Sequence, residues 1–143
     1  MKGDKIPDQD HIARLCKPTT APDGQIQATA FMLNKNKKEE SLSVNWLEFL
    51  NCSSRESEVK ELQKIYERTF NRVGAGAKIA ILNVSDVCKK VLTESSDRRN
   101  IEVLHDPEQV DQSHSGIYNL KYEDEEIAEL ILETVNESYS ARV

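Results

Sequence analysis

The chain has 143 residues, near the commonest size of one compact domain, which disfavours a two-domain enzyme with a separate cofactor-binding half. Charged residues make up 31% and hydrophobic residues 38%, so we expect a single domain over residues 1–143 with a thin core. A formal net charge of −6 removes the long-range attraction to phosphate on which nucleic-acid-binding domains rely, so nucleic acid is expected as a substrate only.

Membrane and redox signals point to the cytoplasm. No apolar run approaches the roughly 20 residues that span a bilayer, and the polar N-terminus has no apolar signal region behind it. The three cysteines are an odd number, which suits a reducing compartment better than a disulfide framework. We therefore expect a cytoplasmic protein without membrane contact, and free thiols at Cys16, Cys52 and Cys88.

The N-terminal third predicts short strands. Residues 1–9 are polar and predicted to be irregular, and residues 10–16 alternate polar and apolar positions, which fits a short strand or one helical turn. After a loop rich in proline, residues 26–33 predict a half-buried strand. A polar connection then favours a hairpin that returns into residues 41–44.

A core cluster and the first helix follow. Residues 45–50 hold the densest apolar cluster of the chain, and most of it is expected in the core. Ser53 and Glu56 fit a capping box, which predicts the start of a helix. Apolar residues at three- and four-residue spacing extend that helix to about Arg72.

The second half predicts a strand, a helix, a strand and a last helix. Residues 77–84 are almost continuously apolar, which is typical of a strand covered on both faces and favours them as the central strand. Ser85 fits the cap of a short helix that ends near Thr93. Residues 101–104 predict a second short strand. Residues 106–122 show no sustained periodicity of apolar residues.

The fold class follows from these elements. Asp124 opens a last helix with one apolar face, and residues 139–143 read as a tail. Together the elements predict an α+β protein, with a small mixed sheet and about three helices packed on it.

The segment 105–116 is the most suggestive for chemistry. It places His105, Asp106 and His114 just past a predicted strand end, where loops often hold catalytic groups. Imidazole titrates near neutrality, so the two histidines could serve as general acid and base, or ligate a divalent metal ion together with carboxylate. The alternative is a pair of loop histidines, one capping a strand end and the other solvated.

Two further positions extend this candidate site. On a helical turn His11 and Arg14 would share a face, where Arg14 would hold a phosphate while His11 moves a proton; on a strand they would face opposite ways. Glu48 is either solvated or partly desolvated with a raised pKa, and the second case would make it an acid or base. Cys16 fits a buried structural cysteine better than a nucleophile.

Three motifs carry a family resemblance. They are Asp-His-x-x-Arg-x-Cys at 10–16, Leu-Ser-Val-Asn-Trp-Leu-Glu at 42–48, and His-Asp-Pro followed by Ser-His-Ser-Gly-Ile at 105–107 and 113–117. Together they resemble a family of small bacterial conserved hypothetical proteins for which no activity is established, so the resemblance implies motif positions and no mechanism. Those positions are His11, Arg14, Ser43, Asn45, Trp46, Glu48, His105, Asp106, Ser113, His114 and Gly116.

Familiar cofactor motifs are missing from the sequence. No Gly-x-Gly-x-x-Gly and no phosphate loop occur, so a nucleotide cofactor is not supported. No Cys-x-x-Cys or His-Glu-x-x-His occurs, which excludes a zinc knuckle or a zincin on spacing. A divalent metal ion remains open as a cofactor.

Two functions fit the sequence. The first is a small hydrolase or nuclease that acts on a phosphoester through a histidine-rich polar site. That site would consist of the proton-transfer or metal-binding histidines, their partners and an anion holder: His105, His114, His11, Asp106, Glu48 and Arg14. The second is a non-catalytic subunit of a bacterial assembly, such as a defence or toxin–antitoxin module. It would bind a protein partner, with Trp46 as a contact if exposed.

Overall fold

The fold is built on one antiparallel sheet. A computed structural model of the chain describes residues 2–70 and 72–142. Its strands, in chain order, are β1 (His11–Cys16), β2 (Leu42–Trp46), β3 (Lys78–Asn83), β4 (Glu102–His105), β5 (His114–Tyr118) and β6 (Glu137–Ser140). The α-helices are α1 (Arg55–Thr69), α2 (Val84–Glu94) and α3 (Glu125–Glu133). Short 3-10 helices lie at residues 18–20, 22–24, 28–31, 35–37 and 48–50.

The strands are arranged in the spatial order β4-β5-β2-β1-β3-β6. This architecture confirms the predicted α+β class, with three α-helices packed on one sheet. The strands described here all pair antiparallel, so the sheet has none of the parallel pairing that a mixed sheet would contain. The run β3-α2-β4 does not form a parallel crossover, because β4 pairs with β5 at the opposite edge of the sheet.

Helices cover both faces of the sheet. Alternate strand residues point to opposite faces, so Ile12 and Leu82 pack with α2 and α3, whereas Ala13 and Ile81 pack with α1. Burial of β3 on both faces explains its continuous apolar run, as the sequence predicted. β3 is nevertheless not the central strand, since it lies between β1 and the edge strand β6.

The predicted strand at residues 26–33 is wrong. Residues 28–31 form a 3-10 helix, and its buried side chains Ala30 and Phe31 join the core cluster of α3. The predicted hairpin is therefore not formed, and β2 pairs with β1 and β5 instead. A short alternation of apolar residues fits a 3-10 helix with one buried side as well as it fits a strand. The local sequence pattern alone therefore could not distinguish the strand from the 3-10 helix.

Two strands were missed. β5 contains Gly116 and several polar residues, and β6 reads Glu-Ser-Tyr-Ser, so neither carries a strong strand signal. Both form because a neighbouring strand offers a ladder of hydrogen-bonding partners. The expected tail is corrected accordingly: Tyr139 and Ser140 belong to β6, Ala141 is buried, and residue 143 lies outside the described residues.

Helix starts differ from the predicted caps by one or two residues. Ser54, rather than Ser53, caps α1, because its Oγ accepts a hydrogen bond from the backbone N–H of Ser57 at 3.1 Å. Asn83, rather than Ser85, caps α2, because its side-chain oxygen accepts from the N–H of Asp86 at 3.0 Å.

The segment before β1 covers an edge of the sheet. Residues 2–9 lie outside regular strands, as predicted, and residue 1 lies outside the described residues. The segment does not run along the surface throughout, however, because Ile6 is fully buried and its N–H donates to the carbonyl of Val103 at 3.0 Å. The N–H of His105 donates in turn to the carbonyl of Asp4 at 2.8 Å. This pairing protects the edge of β4.

Within residues 2–70 and 72–142, none of the helices combines the length and the apolar character that crossing a bilayer requires. The cysteines Cys16, Cys52 and Cys88 are free thiols, and Cys16 is buried in the core, as expected of a structural cysteine.

Candidate functional site

A cleft of about 800 Å³ opens where β1 and β2 separate. The two strands pair only at Ile12 with Trp46 and at Ala13 with Asn45, whereas β1 pairs with β3 along its whole length. The cleft is lined by both strands, by the segment between them, by the end of α1 and by the loop before β5. Among the predicted site residues, Arg14 and His114 line it.

Arg14 brings a partly buried cation to this cleft. Its Nε donates to the carbonyl of Ala30 at 2.8 Å, and its Nη1 donates to the carbonyl of Ser43 at 2.9 Å. No carboxylate of the described residues forms an ion pair with it; Glu39 acts on it from a distance, while that carboxylate accepts from the N–H of Asn34. Burial lowers the pKa of the Arg14 guanidinium from its ordinary value. The strand geometry separates Arg14 from His11, as predicted for a strand.

Further cations stand around Arg14. Lys17, Lys37 and Arg72 also line the cleft, together with the acidic Glu39, Glu108 and Asp111. The neighbouring Lys37 is the largest cause of a lowered pKa at Lys17. Among the described residues, the cleft lining thus combines four cationic side chains with three carboxylates, in a protein of net charge −6. An anion bound there would relieve the repulsion between Lys17 and Lys37.

His114 is a strand residue and not a loop residue. It begins β5, and its side chain is 14% exposed. Its Nδ1 lies 2.8 Å from the carbonyl oxygen of Asp106, and since a carbonyl only accepts, we assign the ring proton to Nδ1. In the neutral ring Nε2 is then an acceptor, and the hydroxyl of Ser43 lies 3.2 Å from it. The carboxylates of Asp106 and Glu108 lie 3.8 and 4.0 Å from Nδ1.

A buried polar network forms one wall of the cleft. The hydroxyl of Tyr66 donates to Oδ1 of Asn45 at 3.0 Å, and Nδ2 of Asn45 donates to Asp111 at 2.6 Å and to Ser113 at 2.9 Å. The Ser113 hydroxyl donates to the other Asp111 oxygen at 2.7 Å. Burial, and then the charge of Asp111, raise the pKa of Tyr66. The network ties the loop before β5 to β2 and α1.

Tyr66 and Asp111 were missed as site residues. Tyr66 fits the apolar period of α1, so its pattern indicates only a core residue. Asp111 lies in a polar loop without a period. Asn45 and Ser113 had been singled out only as motif positions of the family resemblance.

His105 and His11 do not join His114 in the cleft. His105 is buried, its ring packs 5.1 Å from that of Trp46 and 5.0 Å from that of Phe49, and its Nε2 lies 2.8 Å from the carbonyl of Gln112. The register explains the separation: His105 pairs with Ser115, the residue after His114, so the two imidazoles point to opposite faces. The expected single site with all three histidines is therefore not formed.

His11 belongs to a third setting. Its Nδ1 donates to Oε2 of Glu48 at 2.7 Å, and its backbone N–H donates to Oε1 at 2.7 Å. Glu48 is exposed and does not line the cleft, which favours the solvated alternative for this carboxylate. Asp106 acts on the cleft through its carbonyl, while its carboxylate lies 3.5 Å from the ammonium of Lys2.

Two further sequence expectations concern metal and partner binding. Within the described parts of the chain, no group of three or more histidine, cysteine, aspartate and glutamate residues is placed to hold a metal ion. Trp46 is only partly exposed, and its Nε1 donates to the carboxylate of Asp10 at 2.8 Å, so it is not an exposed aromatic contact.

Comparison of the chain with protein-family models, with curated proteins and with solved structures finds no match. The resemblance of the three motifs to a bacterial family accordingly stays a prediction. Four of its motif positions line the cleft: Arg14, Ser43, Asn45 and His114. Ser43 contacts Arg14 through its carbonyl and His114 through its hydroxyl.

Proposed function

We propose that this chain is a small hydrolase that binds an anionic phosphoester in the cleft and uses His114 for proton transfer. The supporting observation is that a partly buried arginine without an ion-paired carboxylate among the described residues and an imidazole with an oriented Nε2 line the same cleft. The predicted cytoplasmic location is part of this proposal, and free thiols agree with it.

Arg14 would hold the phosphoryl group. A guanidinium has five N–H donors, and the carbonyls of Ala30 and Ser43 use two of them, which leaves donors for ligand oxygens. Lys17 and Lys37 would add positive charge at the same cleft. Donors already in place when negative charge develops on the phosphoryl oxygens stabilise the transition state without reorganisation.

His114 would act as general base and then general acid. The Asp106 carbonyl holds the Nδ1 proton, which keeps Nε2 available on the cleft side. The carboxylates of Asp106 and Glu108 lie 3.8 and 4.0 Å from Nδ1. His105, His11 and Glu48 have no part in this version of the site, since their side chains are engaged elsewhere.

Hydrolysis of p-nitrophenyl phosphate and bis(p-nitrophenyl) phosphate by purified protein tests the proposal. We expect His114→Gln to lower kcat by about 100-fold or more, as is usual for loss of a general base. Arg14→Met should mainly weaken binding of inorganic phosphate, measured by calorimetry. His11→Gln is the matched control and should keep wild-type rates. Wild-type protein that neither hydrolyses these esters nor binds phosphate would contradict the proposal.

A second candidate is the non-catalytic subunit, and one observation favours it. Phe49 and Val110 are 42% and 57% exposed and line a shallow hollow of about 570 Å³ on the other side of the loop. A protein partner would bury these two side chains. Val110→Asp should abolish a stoichiometric complex that co-purifies with the tagged wild-type chain, while Glu125→Gln on α3 should not. A complex that survives Val110→Asp would count against this surface.

A further inference from the structure

The hydroxyl of Ser43 lies in the cleft beside His114. Ser43 is exposed, and its Oγ lies 3.2 Å from Nε2 of His114. The carbonyl of the same residue accepts from Nη1 of Arg14 at 2.9 Å. A hydroxyl, a base and a cation thus meet at one residue of β2.

The strand register produces this meeting. Ser43 pairs with Gly116 and Asn45 pairs with His114, so Ser43 and His114 are diagonal neighbours on the same face of the sheet. The partner directly opposite Ser43 is a glycine, and an added Cβ there would lie 2.7 Å from Oγ of Ser41 and 2.9 Å from the ring of Tyr118. Position 116 therefore has no room for a side chain, because Ser41 and Tyr118 occupy the space over this glycine.

Other hydroxyl groups near the cleft are engaged differently. The Thr20 hydroxyl donates to the carbonyl of Lys17 at 2.8 Å, and that of Ser113 donates to Asp111. The Ser115 hydroxyl donates to the carbonyl of Ser113 at 3.1 Å and is fully buried. Among the described residues, the hydroxyl within hydrogen-bond distance of an imidazole nitrogen is that of Ser43.

We propose that Ser43 is the nucleophile of the hydrolase and that the reaction passes through a phosphorylated Ser43. This inference rests on the proposed function. Ser43 Oγ forms a bond to phosphorus while its proton moves to Nε2 of His114. The bond from phosphorus to the leaving oxygen breaks, and that oxygen takes the proton from Nε2. Arg14 faces the phosphoryl oxygens throughout.

The second half of the reaction restores the enzyme. Water attacks the phosphorus of phosphorylated Ser43 and gives one proton to Nε2 of His114. The bond between phosphorus and Oγ breaks, and Oγ recovers a proton from Nε2, so phosphate leaves and the hydroxyl is regenerated. Atoms and charges balance without a metal ion or an oxidant. Because one imidazole alternates between base and acid, a single histidine suffices.

A fluorophosphonate probe tests the nucleophile directly, since a serine activated by a base displaces its fluoride and keeps the phosphonyl group. We expect intact-protein mass spectrometry to show one adduct on the full chain, and peptide mapping to place it on Ser43. Ser43→Ala should abolish labelling, and His114→Gln should slow it by about 100-fold or more. Ser41→Ala is the matched control, because that hydroxyl is two residues away on the chain, and it should label at the wild-type rate.

Hydrolysis of p-nitrophenyl phosphate separates this inference from the proposed function. We expect Ser43→Ala to lower kcat by about 100-fold or more with an unchanged melting temperature, and the wild type to release a burst of one equivalent of p-nitrophenolate when dephosphorylation limits turnover. If Ser43→Ala keeps wild-type turnover while His114→Gln loses it, water is the nucleophile and the inference is overturned, although the proposed function stands. If the probe labels a residue other than Ser43, the inference is likewise overturned.

Discussion

Tyr66 has two roles that its sequence context does not separate. Its ring belongs to the apolar face of α1 and packs in the core with Leu62 and Ile65, while its hydroxyl reaches the polar network at Asn45. Buried hydroxyls of this kind stabilise a fold only while their partners stay in place. The network around Asp111 is therefore as much a structural element as a wall of the cleft.

Removal of the Tyr66 hydroxyl should be measurable. We expect Tyr66→Phe to lower the free energy of unfolding by about 1–2 kcal/mol, because Oδ1 of Asn45 loses its buried donor. Urea unfolding followed by circular dichroism measures the loss. Tyr118→Phe is the control at a partly exposed ring of β5, and it should change stability by less than about 0.5 kcal/mol. Equal effects of the two substitutions would contradict a buried network at Tyr66.

The thiols of Cys16 and Cys88 predict that the stability of the fold depends on pH at the alkaline end. Burial raises the pKa of Cys16 and of Cys88 from 9.0 to about 11. The unfolded chain therefore loses these protons first as pH rises, so their contribution to stability is complete below about pH 9 and is lost towards about pH 11. We expect a fall of about 1–3 kcal/mol over this range, because solvent screening reduces the contribution of the partly exposed Cys88. The Cys16→Ala, Cys88→Ala double variant should show a smaller fall in urea titrations, and an identical slope would contradict the assignment.

At the scale of elements, helix boundaries follow single side chains. α1 begins where Ser54 adopts an extended backbone and its hydroxyl accepts from the N–H of Ser57. Ser53 has the same side chain one residue earlier, and its spacing from Glu56 fits the predicted capping box. The structure has the extended backbone of a cap residue at Ser54, with φ −149° and ψ 162°.

The two serines provide a matched pair of variants. Ser54→Ala should destabilise the protein by about 1 kcal/mol, because the N–H of Ser57 loses its cap. Ser53→Ala should lie within about 0.5 kcal/mol of the wild type. Thermal unfolding of both proteins decides the matter: a larger loss for Ser53→Ala would place the helix start at the predicted capping box.

At the scale of the whole molecule, we expect the strands that are covered on both faces to be more stable than the edge strand β6. β1 and β3 pair along six residues, and β3 is covered by α1 on one face and by α2 and α3 on the other. β6 pairs with β3 over four residues, alternates half-buried with exposed side chains and forms an edge of the sheet. The pairing of β3 with β1 and the pairing of β6 with β3 should therefore open at different free energies.

Native-state hydrogen exchange measures that difference. We expect the amides of Ala80 and Leu82, which lie on the β1 side of β3, to exchange only through global unfolding. The amides of residues 137–140 should exchange through local opening, at a free energy lower by about 2 kcal/mol or more. Denaturant should leave the exchange rates of β6 nearly unchanged at low concentration. A denaturant dependence of β6 equal to that of β3 would show that the edge strand does not open alone.

The local sequence pattern predicted much of the fold because, in some elements, the spacing of apolar residues matches the faces that are buried. α1 and α3 place apolar residues at helical spacing, and β3 is apolar without interruption because both of its faces are covered. Elements without such a pattern were missed or misassigned. β5 and β6 are short and polar, and the 3-10 helix at residues 28–31 imitates a strand.

The sequence also predicted some residues of the candidate site correctly and others wrongly. Side-chain chemistry alone selected Arg14 and His114, since a guanidinium and an imidazole suit an anionic substrate wherever they lie. The same reasoning selected His11, His105 and Glu48, which lie elsewhere. Sequence distance does not tell which strand faces are shared.

The sequence by itself thus determined an α+β chain with its principal helices, its most buried strand and two of its cleft residues. Only the tertiary structure decided that β1 and β2 separate into a cleft, and that the register of β2 with β5 sets Ser43 beside His114. The physical reason is that strand pairing joins residues 71 positions apart. A shift of one residue in that register would turn each side chain to the opposite face.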